Sequence, residues 1–176
     1  MATAIAYSEN IYAVKTHLFL GEDALINVAK RVGITSKLEK IPSLPLGTNE
    51  ISITEMAAGY SAFANLGYKV TPHLITKVED KDGNVLYQYK DTKKAVLNSN
   101  LCFILNNMLT ATYDKDYIDY NYPTAVGIAP KMTHTYALKS GTTSTDNWNI
   151  GFTPDILTAV WVGYDDNTEL KNFKIH

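Results

Sequence analysis

Three strand-like runs follow one another near the C-terminus: "THTYALKSGTT", "DNWNIGFTP" and "DILTAVWVGYDD". They carry β-branched and aromatic residues and are bounded by glycine, proline and clustered hydroxyls. The turns between them are short, whereas parallel strands need about a dozen residues for a crossover. The runs are therefore expected to pair as an antiparallel meander.

The chain before them reads mostly as helix. "NIYAVKTHLFLG" puts Ile11, Val14 and Leu18 at helical spacing and stops at Gly21. "EDALINVAKRVG" repeats the pattern with Leu25, Val28, Ala29 and Val32. Its opening acids suit the positive end of a helix, and Gly33 suits its stop. "IPSLPLGTNE" is a loop, because its prolines cannot sit inside a helix. "SITEMAAGYSAFANLG" opens on a capping box of Ser52 and Glu55 and ends at Gly67. Its small residues (Ala57, Ala58, Gly59, Ala62, Ala64) let neighbouring elements approach closely.

"HLITKVEDKDGNVLYQYK" predicts a hairpin turning at Asp82-Gly83, where the glycine supplies a positive φ. "SNLCFILNNMLTATY" predicts another helix. Asp114 to Thr133 is a loop containing tyrosine and proline, long enough to be functional. Helices first and sheet last make an α+β chain, and 176 residues are enough for one domain with a core, spanning 1–176.

Several function classes recede. A net charge of −2 gives no electrostatic footprint for nucleic acid. The single cysteine, Cys102, lies in an apolar helical pattern with no histidine in a recognisable relation to it, so a catalytic thiol is not expected. His17, His73, His134 and His176 form no ligand pair, so neither a metal site nor a cofactor is expected. No apolar run reaches the roughly 18 to 20 residues of a membrane span, and the chain as given is expected to be soluble.

Lys139-Ser140-Gly141-Thr142-Thr143 is the stretch with chemical content. On a strand, Gly141 lets backbone and ligand come close. Lys139 adds positive charge to a groove. Ser140 and Thr142 share one side of the strand, where two hydroxyls can hold a carboxylate. An exposed strand edge also offers N–H and C=O groups to an extended peptide. The alternative is a turn with solvated hydroxyls. Ser8-Glu9-Asn10 lies at a helix junction, where a serine can relay a proton and an amide can donate and accept. The alternative there is an N-cap for the "NIYAVK" helix.

Taken together, "YSENIYAVK", "NEISITEMAAGYSAFANLG" and "LKSGTTSTDNWNIGFTPDILTAVWVGYDDN" resemble the penicillin-binding transpeptidase family, in particular the transpeptidase module of its class A, bifunctional members. The resemblance implies the penicillin-binding/serine β-lactamase-like fold. It implies that Ser8 relays protons to the leaving D-alanine amine and that Asn10 holds a backbone carbonyl of the donor peptide. Lys139 would support Ser8 and attract the substrate carboxylate. Ser140 and Thr142 would bind that carboxylate, with Gly141 and Thr143 completing the groove and the Thr142 N–H donating to an oxyanion. Trp148 and Tyr60 are expected to serve core packing, and Glu9 has an open role.

The implied partners are the D-Ala-D-Ala end of a peptidoglycan stem peptide and β-lactam antibiotics. The implied setting is a membrane-anchored parent with an extracytoplasmic catalytic domain. One departure matters. Ser8, Ser36, Ser43, Ser52, Ser61, Ser99, Ser140 and Ser144 all lack a lysine three residues later, so the family's Ser-x-x-Lys nucleophile is missing. Thr168 to Lys171 has the spacing but follows the last strand. The tail after "GYDD" is also shorter than the family's C-terminal helix.

The chain is thus expected to be a partial transpeptidase domain, incomplete at both ends and inactive alone, with exposed apolar surface and a tendency to self-associate. A β-lactamase or D,D-carboxypeptidase relative, and a non-catalytic peptide-binding module, are the alternatives.

Overall fold

The computed structural model describes residues 1–170. Helices α1 (Ala2–Ala6), α2 (Asn10–Leu20) and α3 (Glu22–Val32) come first, then α4 (Ile53–Ala64). A short strand β1 (Tyr68–Lys69) leads into the strands β2 (Lys77–Glu79) and β3 (Val85–Gln88). Strand β4 (Lys94–Ala95) and helix α5 (Ser99–Thr110) follow, and β5 (Ala137–Thr142), β6 (Asp146–Phe152) and β7 (Leu157–Gly163) end the order. The predicted meander forms: β5 pairs with β6 and β6 with β7, both antiparallel, from Ala137 opposite Phe152 to Thr142 opposite Asn147. Lys139 to Thr142 is therefore strand and not the turn of the alternative reading.

Helices α4 and α5 cover one face of this sheet. Leu109, Ala137 and Phe152 are buried together, with Ile5, Tyr60, Phe63, Leu105 and Leu157 against them. Tyr60 meets Phe63 and Phe152 edge-on with ring centroids 6.2 Å apart, so it packs the core as expected. A second cluster joins Val32, Ile34 and Ala62. Gly59 lies there, and a methyl group on it would touch Val32 and Ile34 at 3.5 Å. This is the close approach that the small residues of α4 permit.

The Ser52–Glu55 pair forms only half of a capping box. The Ser52 hydroxyl accepts the Glu55 N–H at 3.3 Å and caps α4. The Glu55 carboxylate makes only a long contact with the Ser52 hydroxyl, at 3.5 Å, and reaches to the segment after α3. It accepts the Thr35 N–H at 2.7 Å and the Ser36 N–H at 2.9 Å, together with both hydroxyls. These hydrogen bonds, the Ser36 and Thr35 hydroxyls foremost, lower its pKa to about 2.

Two features differ from the sequence expectation. The predicted stripe on α2 faces mostly outward: Ile11 and Leu18 are exposed, Val14 is half-buried, the neighbouring Phe19 is 88% exposed, and the buried residue is His17. Leu25 on α3 is likewise exposed, and Ile26 is buried with Val32. α2 turns its inward side to α3 and the turn at Leu44–Leu46, and α3 turns its own to α2 and α4. Exposed apolar side chains also include Leu101, Phe103 and Ile104 on α5 and Val160 and Val162 on β7, matching the expected apolar surface.

The pairing of β1 with β4 was not predicted. Gly67 accepts from the Val96 and Leu97 amides, which closes the excursion containing the hairpin. Lys171 and His176 lie outside the described residues, and with them part of the Thr168 to Lys171 motif and of the short tail.

Candidate active site

Strand β5 is an edge. Its one strand partner among the described residues is β6, so its other side is open. The Thr143 N–H donates to the Asp146 carbonyl at 2.9 Å, which fixes the alternation of the whole strand. Lys139 and Gly141 share the parity of Thr143, so their peptide groups face β6; those of Ser140 and Thr142 face the open side. The Thr142 N–H and the Ser140 N–H and C=O thus point to the open side of the strand.

Ser8 reaches this edge through an unusual backbone. It lies between α1 and α2 with φ +54°, a left-handed value that side chains rarely adopt. The last turn of α1 locks it: Ser8 N–H donates to Ile5 at 3.1 Å and Glu9 N–H to Ala4 at 2.9 Å. Glu9, not Ser8, is the N-cap of α2, so the capping alternative fails. The Ser8 hydroxyl instead accepts a hydrogen bond from Lys139 Nζ at 2.8 Å. Lys139 Nζ also donates to the outward Ser140 carbonyl at 2.5 Å. The ammonium is half-buried, and desolvation lowers its pKa below that of a free lysine.

The segment from Asp114 to Thr133 buttresses this junction. The Tyr7 hydroxyl donates to the Tyr117 carbonyl, and the Tyr7 ring meets Tyr120 edge-on at 5.3 Å. Thr124 N–H donates to the Ala6 carbonyl at 2.9 Å. The segment is not plain loop, because Lys115–Tyr117 and Val126–Lys131 form short 3₁₀ turns.

The structure brings Ser8, Lys139 and Ser140 into one hydrogen-bonded group. Gly141 and Thr142 continue it along the open edge and are exposed. Asn10 is the first residue of α2, exposed and two positions beyond Ser8. Thr143 lies just past the strand, and its hydroxyl is engaged in the β5–β6 turn, accepting the Asp146 N–H at 2.9 Å and the Thr145 N–H at 3.2 Å. Trp148 stands beside Gly141 on β6.

Asp146 escaped the sequence reading. Its carboxylate accepts the Trp161 indole N–H at 2.7 Å and hydroxyls of Thr145 at 3.0 Å and Thr143 at 3.3 Å. The even spacing of Asp146 and Trp148 was visible, but meeting Trp161 requires the β6–β7 register.

No helix among the described residues is long and apolar enough to cross a membrane. Among them there is also no group of histidine, cysteine and acidic side chains able to hold a metal ion.

Known proteins share the sequence pattern and the fold. Residues 1–172 match the model of the penicillin binding protein transpeptidase domain. The chain is 46% identical over 167 residues to penicillin-binding protein 2D of Bacillus subtilis, covering 95% of this chain and 24% of that protein. It is 34% identical over 164 residues to penicillin-binding protein 1A of Aquifex aeolicus, covering 92% of this chain and 21% of that one. It therefore spans about a quarter of the length of these relatives. The crystal structure of penicillin-binding protein 1A from Haemophilus influenzae superposes with a TM-score of 0.87 at 24% identity, over 98% of this chain and 31% of that one. PonA1 of Mycobacterium tuberculosis in complex with penicillin V gives a TM-score of 0.75 at 23% identity, over 96% of this chain and 48% of that one. By sequence and by fold alike, the chain belongs to the penicillin-binding protein transpeptidase family.

Proposed function

We propose that this chain supplies the peptide groove and proton-relay half of a serine D,D-transpeptidase that cross-links peptidoglycan stem peptides and is acylated by β-lactams. The observation that carries the reading is the Lys139–Ser8 hydrogen bond at the head of an open strand edge. An extended peptide ending in D-Ala-D-Ala pairs with the outward groups of Ser140 and Thr142. Its carboxylate meets the Ser140 and Thr142 hydroxyls, in the positive field of Lys139. The Thr142 N–H stabilises the oxyanion of the tetrahedral intermediate, a contribution of about 3–4 kcal/mol for such a donor. Ser8, held by Lys139, passes a proton to the nitrogen of the departing D-alanine. Asn10 holds a backbone carbonyl of the donor peptide, and Gly141 and Thr143 shape the groove.

The attacking serine and its lysine base come from a Ser-x-x-Lys element outside this sequence, so the chain alone is not acylated. The parent is membrane-anchored with this domain outside the cytoplasm. Exposed Phe19, Leu20, Leu101 and Phe103 favour self-association of the isolated chain, which light scattering at high concentration tests.

Fluorescent penicillin applied to source-cell membranes, followed by an antibody to this chain, decides the main point. The expected result is one labelled band much heavier than 19.5 kDa. A single unlabelled band at 19.5 kDa would replace this reading with a non-catalytic binding module.

A further inference from the structure

The open end of the groove is set by a turn whose centre is the Asp146 carboxylate, hydrogen-bonded to Thr143 and Thr145 but to neither Ser140 nor Thr142. Asp146 binds the chain on both sides of that turn. Its N–H donates to the Thr143 hydroxyl at 2.9 Å, and its carbonyl accepts the Thr143 N–H at 2.9 Å. One carboxylate oxygen, Oδ2, takes the Thr145 and Thr143 hydroxyls; the other, Oδ1, takes the Trp161 indole N–H at 2.7 Å. The turn is thereby tied through one side chain to β7, two strands away from the groove.

The tie has little freedom. The Trp161 ring lies over Gly163, where a methyl group would come within 2.5 Å of the ring and 3.0 Å of the Thr145 carbonyl. From the other side, the Leu170 N–H donates to the Ser144 carbonyl at 2.9 Å. A carboxylate accepting hydroxyl and indole donors holds each more firmly than a neutral acceptor would. Thr142 is the last residue of β5 and adjoins this turn, so its hydroxyl is placed by it.

We propose that Asp146 is a positioning residue for carboxylate recognition: braced by Trp161, it holds the end of β5 so that the Thr142 hydroxyl meets a ligand's carboxylate. The proposal rests on the transpeptidase reading above. It makes Asp146 act on one property of the site, the preference for ligands with a free carboxylate. Small displacements of a positioned group cost rate steeply, and loss of one hydrogen bond to a charged group is worth about tenfold or more.

The test uses the longest natural polypeptide containing this chain. Acylation rates are measured with a penicillin and with its methyl ester, for the unchanged protein and for Asp146→Ala, Asp146→Asn and Trp161→Phe. Trp161→Phe keeps an aromatic side chain on β7 but removes the indole N–H with part of the ring system, and the nearly isosteric Asp146→Asn guards against loss of the fold. The expected result is a preference for the free acid that falls about tenfold in Asp146→Ala, falls less in Trp161→Phe, and is largely restored in Asp146→Asn. The ester rate stays nearly constant throughout. An unchanged preference in every variant overturns the proposal, as does an equal loss of both rates, which marks a merely structural residue. If the unchanged protein reacts with neither compound, the transpeptidase reading itself fails.

Discussion

Lys139 Nζ stands 2.8 Å from Ser8 Oγ, although 131 positions separate the two residues along the chain. The contact is made by two unlike devices: a left-handed serine at the α1–α2 junction and a lysine on an edge strand, half-buried between them. Backbone strain and desolvation are both spent at this point, as functional sites often show.

The strain at Ser8 separates stability from activity. A residue other than glycine at φ +54° costs about 1 kcal/mol or more. Ser8→Gly relieves that cost and removes the hydroxyl; Ser8→Ala removes the hydroxyl and keeps the cost. Thermal denaturation should find Ser8→Gly the more stable of the two by about 1 kcal/mol. Both should acylate β-lactams about 10²–10⁴-fold more slowly in the full-length protein, the usual weight of a proton-transfer group. Equal melting temperatures would show that the left-handed conformation carries no cost.

Burial of Lys139 predicts an alkaline limb. Its pKa is lowered from that of a free lysine, 10.5, so its charge is lost at a lower pH than exposed lysines lose theirs. Attraction for a carboxylate ligand is present below the lowered pKa and falls as pH rises through it. The acylation rate should therefore decline on the alkaline side with a midpoint below 10.5. Lys139→Arg keeps its charge throughout this range, so its slower reaction should show no such decline. A limb that persists in Lys139→Arg would assign the titration to another group.

Glu55 governs acid stability. Its folded pKa of about 2 lies below the ordinary 4.5, so its stabilisation is complete above 4.5 and is lost as pH falls towards 2. Much of the group is open to solvent, and screening limits the contribution to about 1 kcal/mol. Glu55→Gln should melt below the unchanged protein at neutral pH, and the gap should close with acidification. A gap of constant size down to pH of about 2 would mean that the Thr35 and Ser36 bonds do not depend on the charge.

Two left-handed glycines should respond differently to the same change. Gly67 has φ +96°, and a methyl group there would lie 2.4 Å from the Leu97 carbonyl oxygen. Gly47 has φ +82° with open space around it. Gly47→Ala should cost about 1 kcal/mol, the backbone term alone. Gly67→Ala adds a backbone clash and should cost at least about 3 kcal/mol. Chemical denaturation measures both, and similar losses would show that the β1–β4 closure gives way easily.

Local chemistry was legible where one residue decides a local event. Gly21, Gly33 and Gly67 end or follow helices with positive φ, Asp82-Gly83 turns the hairpin, and Ser52 caps α4. The meander was legible because three short-linked runs have few other ways to pair. The residues Ser8, Lys139, Ser140 and Thr142 were legible through a family pattern, which stores the result of folding without stating its cause.

The remainder depends on contacts between distant segments, which no local pattern encodes. The outward face of α2 follows from where α3 and the Leu44–Leu46 turn lie. The hydrogen bonds of the Glu55 carboxylate to Thr35 and Ser36 follow from the approach of that segment to α4. The brace from Asp146 to Trp161 exists only once β6 and β7 are in register. By itself, the sequence determined that α2 to α5 become helix and that β2, β3 and β5 to β7 become strand, and which residue types stand near the open edge, because those choices turn on dihedral preference and spacing within a few residues. Only the tertiary structure decided that Lys139 meets Ser8, because a hydrogen bond of 2.8 Å between residues so far apart is set by the packing of α1 against α5 and of α5 against β5.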